Sequence, residues 1–459
     1  MAERPMRVLQ VSHQDGRGGA AQIAWNLQRA YRARGLDARM AVKKKLGSNQ
    51  DVIEIPHEKY KPATTRFLLR LGRKLAALNS QVRGMEHLAA FFFLLAEYPQ
   101  RLEVYRGRED FYAPGTWHLL ELFPEPVDIL HLHNLHKSWL NDQGEYFDLR
   151  ALPWLSQRLP VVMTLHDAWL ISGHCAHSFE CERWKSGCGL CPDLTIYPAI
   201  RKDGTAYNWV RKRDIYRQSR LNVVAPSHWL LEKVKQSSLS AGMLRACVIP
   251  NGVDLTVFHP GSGERIALGL PLDANILVFS ADGIRKNQMK DFQTLRLAIA
   301  QVAERLPKTL FVALGEAGPT EQVGRAEVRF VPYQTEPEMV ARYYRAADAY
   351  IHAARADTFP NSVIEALACG TPVVATHVGG IPEQIREGET GFLTPAGDPQ
   401  ALATKIEQLL NNLEDRRQMG NAAAQDAQRR FDVNRQADAY LAWYREILEE
   451  NRHALSQNF

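Results

Sequence analysis

At 459 residues the chain is too long for one small module, and at roughly 100–200 residues per domain it predicts two large domains. Hydrophobic residues at 45% and charged residues at 23% are ordinary globular values, which excludes disorder, collagen and coiled coil as the main theme. The formal charge of +5 demands no polyanionic partner, but residues 1–260 carry 35 basic against 25 acidic side chains, an excess suited to an acidic membrane surface or a phosphorylated substrate.

The chain opens with Met6-Arg7-Val8-Leu9-Gln10-Val11-Ser12, a buried-type strand, followed by a glycine-containing loop from Asp15 to Gly19 and a helix-period stretch from Ala20 to Arg34. Met1 to Ser12 holds no hydrophobic region of the length a signal peptidase recognises, so a cytoplasmic address is expected. Between Lys59 and Arg83 stand seven basic residues and no acidic ones. Arg66, Arg70, Arg73 and Lys74 recur at helical spacing opposite Phe67, Leu71, Leu75 and Leu78. That pattern fits a basic amphipathic helix lying on an anionic bilayer, or a surface helix whose apolar face belongs to the core. The run Leu88–Ala96 has nine residues where a membrane-crossing helix needs about 20. It equally suits a core, and no transmembrane segment is expected.

Strands are predicted at Val127–Leu132, Val161–Thr164 and Leu221–Ala225, with helical or irregular stretches between them, which argues for a parallel sheet covered on both faces. His131, His133 and His136 cluster after the first of these, as a metal site or as pocket lining with His133 nearest an acceptor. Cys175, Cys181, Cys188 and Cys191 place four thiols within 17 residues, beside His174 and His177. Four thiolates suit a structural, non-catalytic Zn²⁺, and reduced thiols or disulfides are the alternatives. From Cys247 through Pro250-Asn251-Gly252 to His259-Pro260-Gly261 the chain is dense in turn formers and reads as an interdomain connection. A second alternation then places strands at Ile276–Ser280, Thr309–Leu314, Val328–Pro332, Ala349–His352, Pro372–Ala375 and Gly391–Leu393. The expected division is a first domain over 1–250, a second over 251–432 and a terminal helix over 433–459 that packs back on the first, with Tyr440, Leu441 and Tyr444 in its apolar stripe.

The window Asp357-Thr358-Phe359-Pro360-Asn361-Ser362-Val363-Ile364-Glu365 ends a strand, turns into a helix and brackets that turn with two acids. Pro360 cannot donate, but the amides of Asn361 to Val363 open a helix N-terminus that favours phosphate. Glu365, one turn in, suits the two neighbouring hydroxyls of a ribose. A plain helix cap with a solvated glutamate gives the same pattern.

Together with Ala368-Cys369-Gly370-Thr371-Pro372-Val373-Val374, Gly379-Gly380 and Gly388–Leu393, this window resembles the family-four retaining glycosyltransferases of GT-B fold. The likeness extends to Ile249–Asp254 and to Thr164-Leu165-His166-Asp167. It implies an α/β chain of two Rossmann-like, doubly wound parallel-sheet domains facing across a cleft, with a nucleotide diphosphate sugar held by the second. By position it puts the ribose on Glu365, hydroxyls of the transferred sugar on Asp357, the phosphate on Lys290 and the reacting carbon near His166. His166, Asp357 and Lys290 are then the catalytic set, and Gly19, Arg285, Phe359, Asn361, Ser362 and Val363 complete the donor site. The family usually has glutamate where Asp357 stands. Its usual Gly-Arg is replaced by Ser280-Ala281-Asp282-Gly283-Ile284-Arg285-Lys286; Arg285 is preferred over Lys286 as second cation because its fork suits a diphosphate. No Asp-x-Asp occurs, so catalysis without a metal is expected. Trp184 and Pro192 match a cysteine-rich insert of polysaccharide-type members.

The expected protein is a cytoplasmic transferase, peripheral at the inner membrane face if residues 59–83 touch lipid. It would move a hexose, with retention, to a hydroxyl of a glycan or lipid-linked oligosaccharide in cell-surface polysaccharide biosynthesis. A nucleotide-sugar epimerase of the same fold and a catalytically silent scaffold are the alternatives. A zinc-ribbon nucleic-acid binder is disfavoured, because the cysteines lie inside one insert of a large α/β domain with no aromatic-basic stripe.

Overall fold

Two seven-stranded sheets organise the chain, seen in a computed structural model that describes residues 4–16, 18–80, 82–136 and 146–456. The first comprises β1 (Arg7–Gln14), β2 (Asp37–Lys44), β3 (Val52–Glu54), β4 (Ile129–Leu132), β5 (Val161–Thr164), β6 (Leu221–Ala225) and β7 (Met243–Val248), in the order β3-β2-β1-β4-β5-β6-β7. The pairs from β3 through β6 are parallel. The second comprises β8 (Asn275–Ser280), β9 (Thr309–Leu314), β10 (Glu321–Val323), β11 (Ala326–Val331), β12 (Ala349–His352), β13 (Val373–Thr376) and β14 (Gly391–Thr394), in the order β10-β11-β9-β8-β12-β13-β14. Only the β10–β11 hairpin is antiparallel there. Each sheet builds outward from its first strand and then reverses, between β1 and β4 and between β8 and β12. In a doubly wound sheet that reversal is where ligands bind, outside the carboxyl ends of the strands.

The strands expected from the sequence are present because a parallel strand covered on both faces needs an unbroken apolar run. Ile276 to Phe279 and Val373 to Ala375 are fully buried. β2 and β3 escaped the sequence reading: β2 carries Asp37, Arg39, Lys43 and Lys44 around a short apolar centre, whose Met40 and Val42 pack with Ala24 and Val52. β7 and β10 were also not foreseen.

Contacts divide the chain into two units, one of Met1–Val224, Glu232–Cys247 and Tyr444–Phe459, the other of Ala225–Leu231 and Val248–Trp443. The last helix runs unbroken from Val433 to Ser456; residues 457–459 of the expected terminal segment lie outside the described residues. In the first unit the Tyr444 hydroxyl lies 2.7 Å from His131 Nδ1 and 3.2 Å from the Tyr31 hydroxyl, all three side chains being buried.

Among the helices of the first unit, α1 (Gly19–Ala33) follows β1, and α2 (Ala63–Ala77) and α3 (Met85–Tyr105) form a hairpin within the long connection from β3 to β4. α2 and α3 pack chiefly on each other: a Cβ on Gly72 would come within 2.8 Å of the Phe93 ring. The alternative that put their apolar residues in the core is corrected here. Phe67 is 64% exposed, and within the run Leu88–Ala96 only Ala89 is buried. No helix among the described residues is long and apolar enough to cross a membrane.

A buried ion pair supports the first unit. Lys212 Nζ lies 2.8 Å from Glu109 Oε2, with both side chains almost wholly buried, and donates to the carbonyls of Trp169 (2.8 Å) and Ser172 (3.0 Å). The Trp169 indole donates to Glu109 Oε1 at 2.7 Å. Removing one partner strands a charge in low dielectric, so Lys212→Met is expected to destabilise by about 3–5 kcal/mol in urea denaturation, and Lys212→Met combined with Glu109→Gln by clearly less. Equal losses in the two variants would show that the charges are not coupled.

Candidate functional site

In the second unit the chain leaves β8 at Ser280 and β12 at His352, the two strands flanking the reversal. After β8 it reaches Lys290 and then Asp291, whose φ of 40° is left-handed, a conformation aspartate tolerates better than most residues. The Asp291 carboxylate accepts from Thr294 N (3.2 Å) and so caps the helix Phe292–Arg305. This turn holds Lys290 so that its Nζ donates to Asp357 Oδ2 (2.5 Å) and lies 3.3 Å from His352 Nε2. The Asp357 loop is fixed from above by Gly379-Gly380. A Cβ on Gly379 would fall 1.7 Å from the Asp357 carbonyl oxygen, and one on Gly380 2.0 Å from that of Thr358, so both positions require glycine for this approach.

Burial alone would raise the Asp357 carboxyl, but the Lys290 ammonium and the His352 ring overcome it and hold the group well below the usual carboxylate range. Burial, with Lys290 adding to it, pushes His352 down to about 4, so the ring is neutral. Among the described residues no cation acts on Glu365. Burial lifts it to about 7, opposed only by the Tyr344 hydroxyl, which donates to Oε2 at 3.4 Å. From Tyr344 a polar chain continues to Ser280 Oγ (3.0 Å), the Tyr350 hydroxyl (3.1 Å) and His352 Nδ1 (3.2 Å). The two carboxylates, with seven residues between them in sequence, are thus the ends of one network, Glu365–Tyr344–Ser280–Tyr350–His352–Lys290–Asp357. Tyr344, Tyr350 and His352 were not among the sequence candidates. Strand parity was the available signal, since Tyr350 and His352 share one face of β12.

The other donor-site candidates divide. The helix Asn361–Ala368 starts where expected, and Asn361 Oδ1 accepts from Asn251 Nδ2 at 2.9 Å. Phe359 and Val363 are buried, so they present only backbone; the Val363 amide donates to the Pro360 carbonyl at 3.3 Å. Ser362 is half-buried. Arg285 is paired with Glu316 (2.7 Å) and Glu321 (2.8 Å) and lies 3.7 Å over the Phe330 ring, so its charge is already matched by two carboxylates.

In the first unit Gly18 (φ 87°) precedes α1 and Gly19 opens it, directly after β1. His166 follows β5 with its Nε2 3.1 Å from His133 Nδ1, and the two rings stack at 5.4 Å. His133 is fully buried and its Nε2 donates to Gln10 Oε1 at 3.0 Å, leaving Nδ1 to accept from His166 Nε2–H. The residue expected nearest an acceptor therefore supports His166 from beneath. Burial lowers His166 to about 4, so it acts as a neutral ring. His131 is engaged by Thr164 Oγ1 (2.7 Å) and Tyr444, and His136 by Asp167 (2.6 Å).

The expected zinc site at Cys175, Cys181, Cys188 and Cys191 is not assembled. Among the described residues no group of three or more histidine, cysteine or acidic side chains is arranged to hold a metal, and all six cysteines are free thiols. The sulfurs have other partners: Cys188 Sγ accepts from Gly173 N (3.2 Å), and Cys191 Sγ lies 3.4 Å from His174 Nε2. Burial pushes Cys175 up to about 12 and Cys188 up to about 11, which keeps both protonated.

Glu365 and His352, two of the shifted groups of the network, oppose each other in stability. Glu365, raised from its ordinary value to about 7, favours the folded chain at low pH, and that contribution is lost as pH rises from about 4.5 to about 7. His352, lowered to about 4, does the reverse over about 4 to 6.5, where the unfolded chain takes up the proton. Urea midpoints of Glu365→Gln should therefore climb above wild type progressively between pH 4.5 and 7. Parallel curves would show that Glu365 titrates normally.

With the geometry in hand, residues 264–426, which contain Lys290, Asp357 and Glu365, match the protein family described as Glycosyl transferases group 1. D-inositol 3-phosphate glycosyltransferase of Segniliparus rotundus is 34% identical over 215 residues, which is 44% of this chain and 47% of that protein. The chain thus spans about half the length of that curated relative. Sucrose-phosphate synthase from Thermosynechococcus elongatus superposes with a TM-score of 0.63 at 19% identity, over 97% of this chain and 100% of the other. HepE of Anabaena, solved in complex with UDP-glucose, superposes with a TM-score of 0.58 at 18% identity, over 95% and 99%. At such identities the likeness is one of fold, two parallel-sheet α/β domains of GT-B type.

Proposed function

We propose that the chain is a retaining glycosyltransferase that moves a hexose from a nucleotide diphosphate sugar to a hydroxyl of a glycan or lipid-linked acceptor, in cell-surface polysaccharide biosynthesis. The observation that carries this reading is the position of Lys290, between Asp357 and His352 at the strand reversal, with Glu365 at the far end of the same polar network. A reversal in a doubly wound sheet suits a nucleotide, a lysine there suits its diphosphate, and a carboxylate one helical turn away suits its ribose.

In this reading the diphosphate takes over the Lys290 ammonium from Asp357. The charge that develops on the leaving phosphate is then met by Lys290 and by the amides that open the helix Asn361–Ala368. Asp357, held ionised, accepts from hydroxyls of the transferred sugar. Glu365 accepts from the ribose; two donating hydroxyls favour its charged form and pull its pKa back below 7. His166, neutral and with its Nε2–H given to His133, can act only as an acceptor through Nδ1 near the reacting carbon, and Gly19 lets backbone approach the phosphates. Arg285 joins the diphosphate only by leaving Glu316 and Glu321. The absence of an Asp-x-Asp pair is the ground for proposing a reaction in which these groups replace a metal.

Calorimetric titration of UDP, GDP and ADP, in EDTA, against the wild type, Glu365→Ala and Lys290→Ala tests the donor site. UDP comes first because the Anabaena neighbour was solved with UDP-glucose. One nucleotide is expected to bind in the micromolar range. Glu365→Ala should weaken it by roughly tenfold to a hundredfold, the worth of hydrogen bonds to a charged group. Lys290→Ala should weaken the diphosphate but leave the nucleoside unchanged. No binding of any nucleotide to the wild type would remove the donor reading altogether.

A further inference from the structure

The hairpin α2–α3 plays no part in either strand reversal, and it carries the densest exposed apolar surface of the described chain. Leu88, Phe91, Leu95, Tyr98 and Tyr105 are 41–56% exposed and recur on α3 at a three-and-four spacing that puts them on one stripe, with exposed Leu94 beside it. Phe67 and Leu78 of the neighbouring helix and turn add 64% and 42% exposed side chains. The same segment holds all seven basic residues from Lys59 to Arg83. Arg73 is paired with Glu58, whereas Arg70 and Lys74 are exposed and pair with no carboxylate among the described residues.

We propose that this hairpin docks the protein on an anionic lipid bilayer, with α3 supplying the apolar contact and α2 the positive charge. The charge selects the occupant. A second copy of the chain seated on this surface would bring Arg70 and Lys74 towards their own counterparts, whereas an anionic headgroup layer neutralises them. Phe91, Tyr98 and Tyr105 are the amphipathic or aromatic types that settle at a bilayer interface. The hairpin lies on the membrane and does not enter it: α3 contains Pro99 with Glu97, Arg101 and Glu103, and is not apolar enough to cross. The docking stands on these residues alone; only its consequence, that a lipid-linked acceptor would be met at the surface, rests on the proposed activity.

The test is flotation of the full chain through a density gradient with phosphatidylglycerol–phosphatidylethanolamine vesicles and, separately, with phosphatidylcholine vesicles. The protein is expected to rise with the anionic vesicles at low salt, and at least about tenfold less with the neutral ones. Arg70→Glu with Lys74→Glu should reduce binding at least about tenfold, and Phe91→Ser with Leu95→Ser should abolish it. Because these side chains are exposed, the variants should keep the wild-type thermal midpoint, which separates lost docking from lost folding. Three results would overturn the proposal: no flotation with either vesicle, equal flotation with both, or a wild-type dimer in light scattering that Phe91→Ser with Leu95→Ser dissociates. Flotation without nucleotide binding would leave the surface standing and remove the transferase reading.

Discussion

The contact between Lys290 and Asp357 is the interaction on which the geometry of the second unit's site depends. Both side chains are largely withdrawn from water, where a lone charge would be costly, and the Lys290 ammonium holds the Asp357 carboxyl in its ionised form. The pair also dictates backbone. The Asp291 turn must place Lys290 just before a helix cap, and the Asp357 loop must pass close enough to Gly379-Gly380 that no Cβ fits. A family-typical glutamate in place of Asp357 would reach one methylene further, and the Lys290 turn would have to accommodate it. The shorter acid and the His352 contact belong together: His352 lies 3.5 Å from the same carboxylate oxygen that Lys290 holds.

From that pair follows an asymmetry between two acids that look alike in the sequence. Asp357 lies beside a cation and stays charged; Glu365 is half-buried next to a tyrosine, and desolvation lifts it to about 7. Surroundings, not residue type, separate them, as in sites where two carboxylates carry different roles. The network through Tyr344, Ser280, Tyr350 and His352 joins the two acids by hydroxyl and imidazole groups that can each donate and accept. A hydroxyl pair arriving at Glu365 can therefore reorient hydrogen bonds as far as His352, next to Lys290.

Much of this was legible in the sequence because parallel strands are unbroken apolar runs and because the Asp357–Glu365 spacing fixes a loop and one helical turn. Lys290 was legible from its place between a strand and a helix. What the sequence concealed has specific physical causes. β2 looks polar because Asp37, Arg39, Lys43 and Lys44 surround the few apolar residues, Met40 and Val42 among them, that pack with Ala24 and Val52. Tyr350 and His352 were hidden inside a strand that read simply as core. Arg285 has fork geometry suited to a phosphate, but Glu316 and Glu321 are brought to it from distant positions in the chain. The cysteine spacing permits a tetrahedral site, yet among the described residues no metal-holding group is arranged. In the α2–α3 segment periodicity showed amphipathic character but not which side of it would face water.

The position of that hairpin follows from the same topology that makes the site. β3 is the edge of the first sheet, and the chain must return from it to β4, beside β1 at the centre. A connection that starts at an edge can be lengthened without interrupting any ladder, because no further strand pairs on that side. Lengthening a central crossover such as that from β4 to β5 would instead displace the loops around His133 and His166. The connection from β3 to β4 is thus a place where a large amphipathic element can be added without interrupting a ladder. The exposed apolar stripe of α3 stands within that connection.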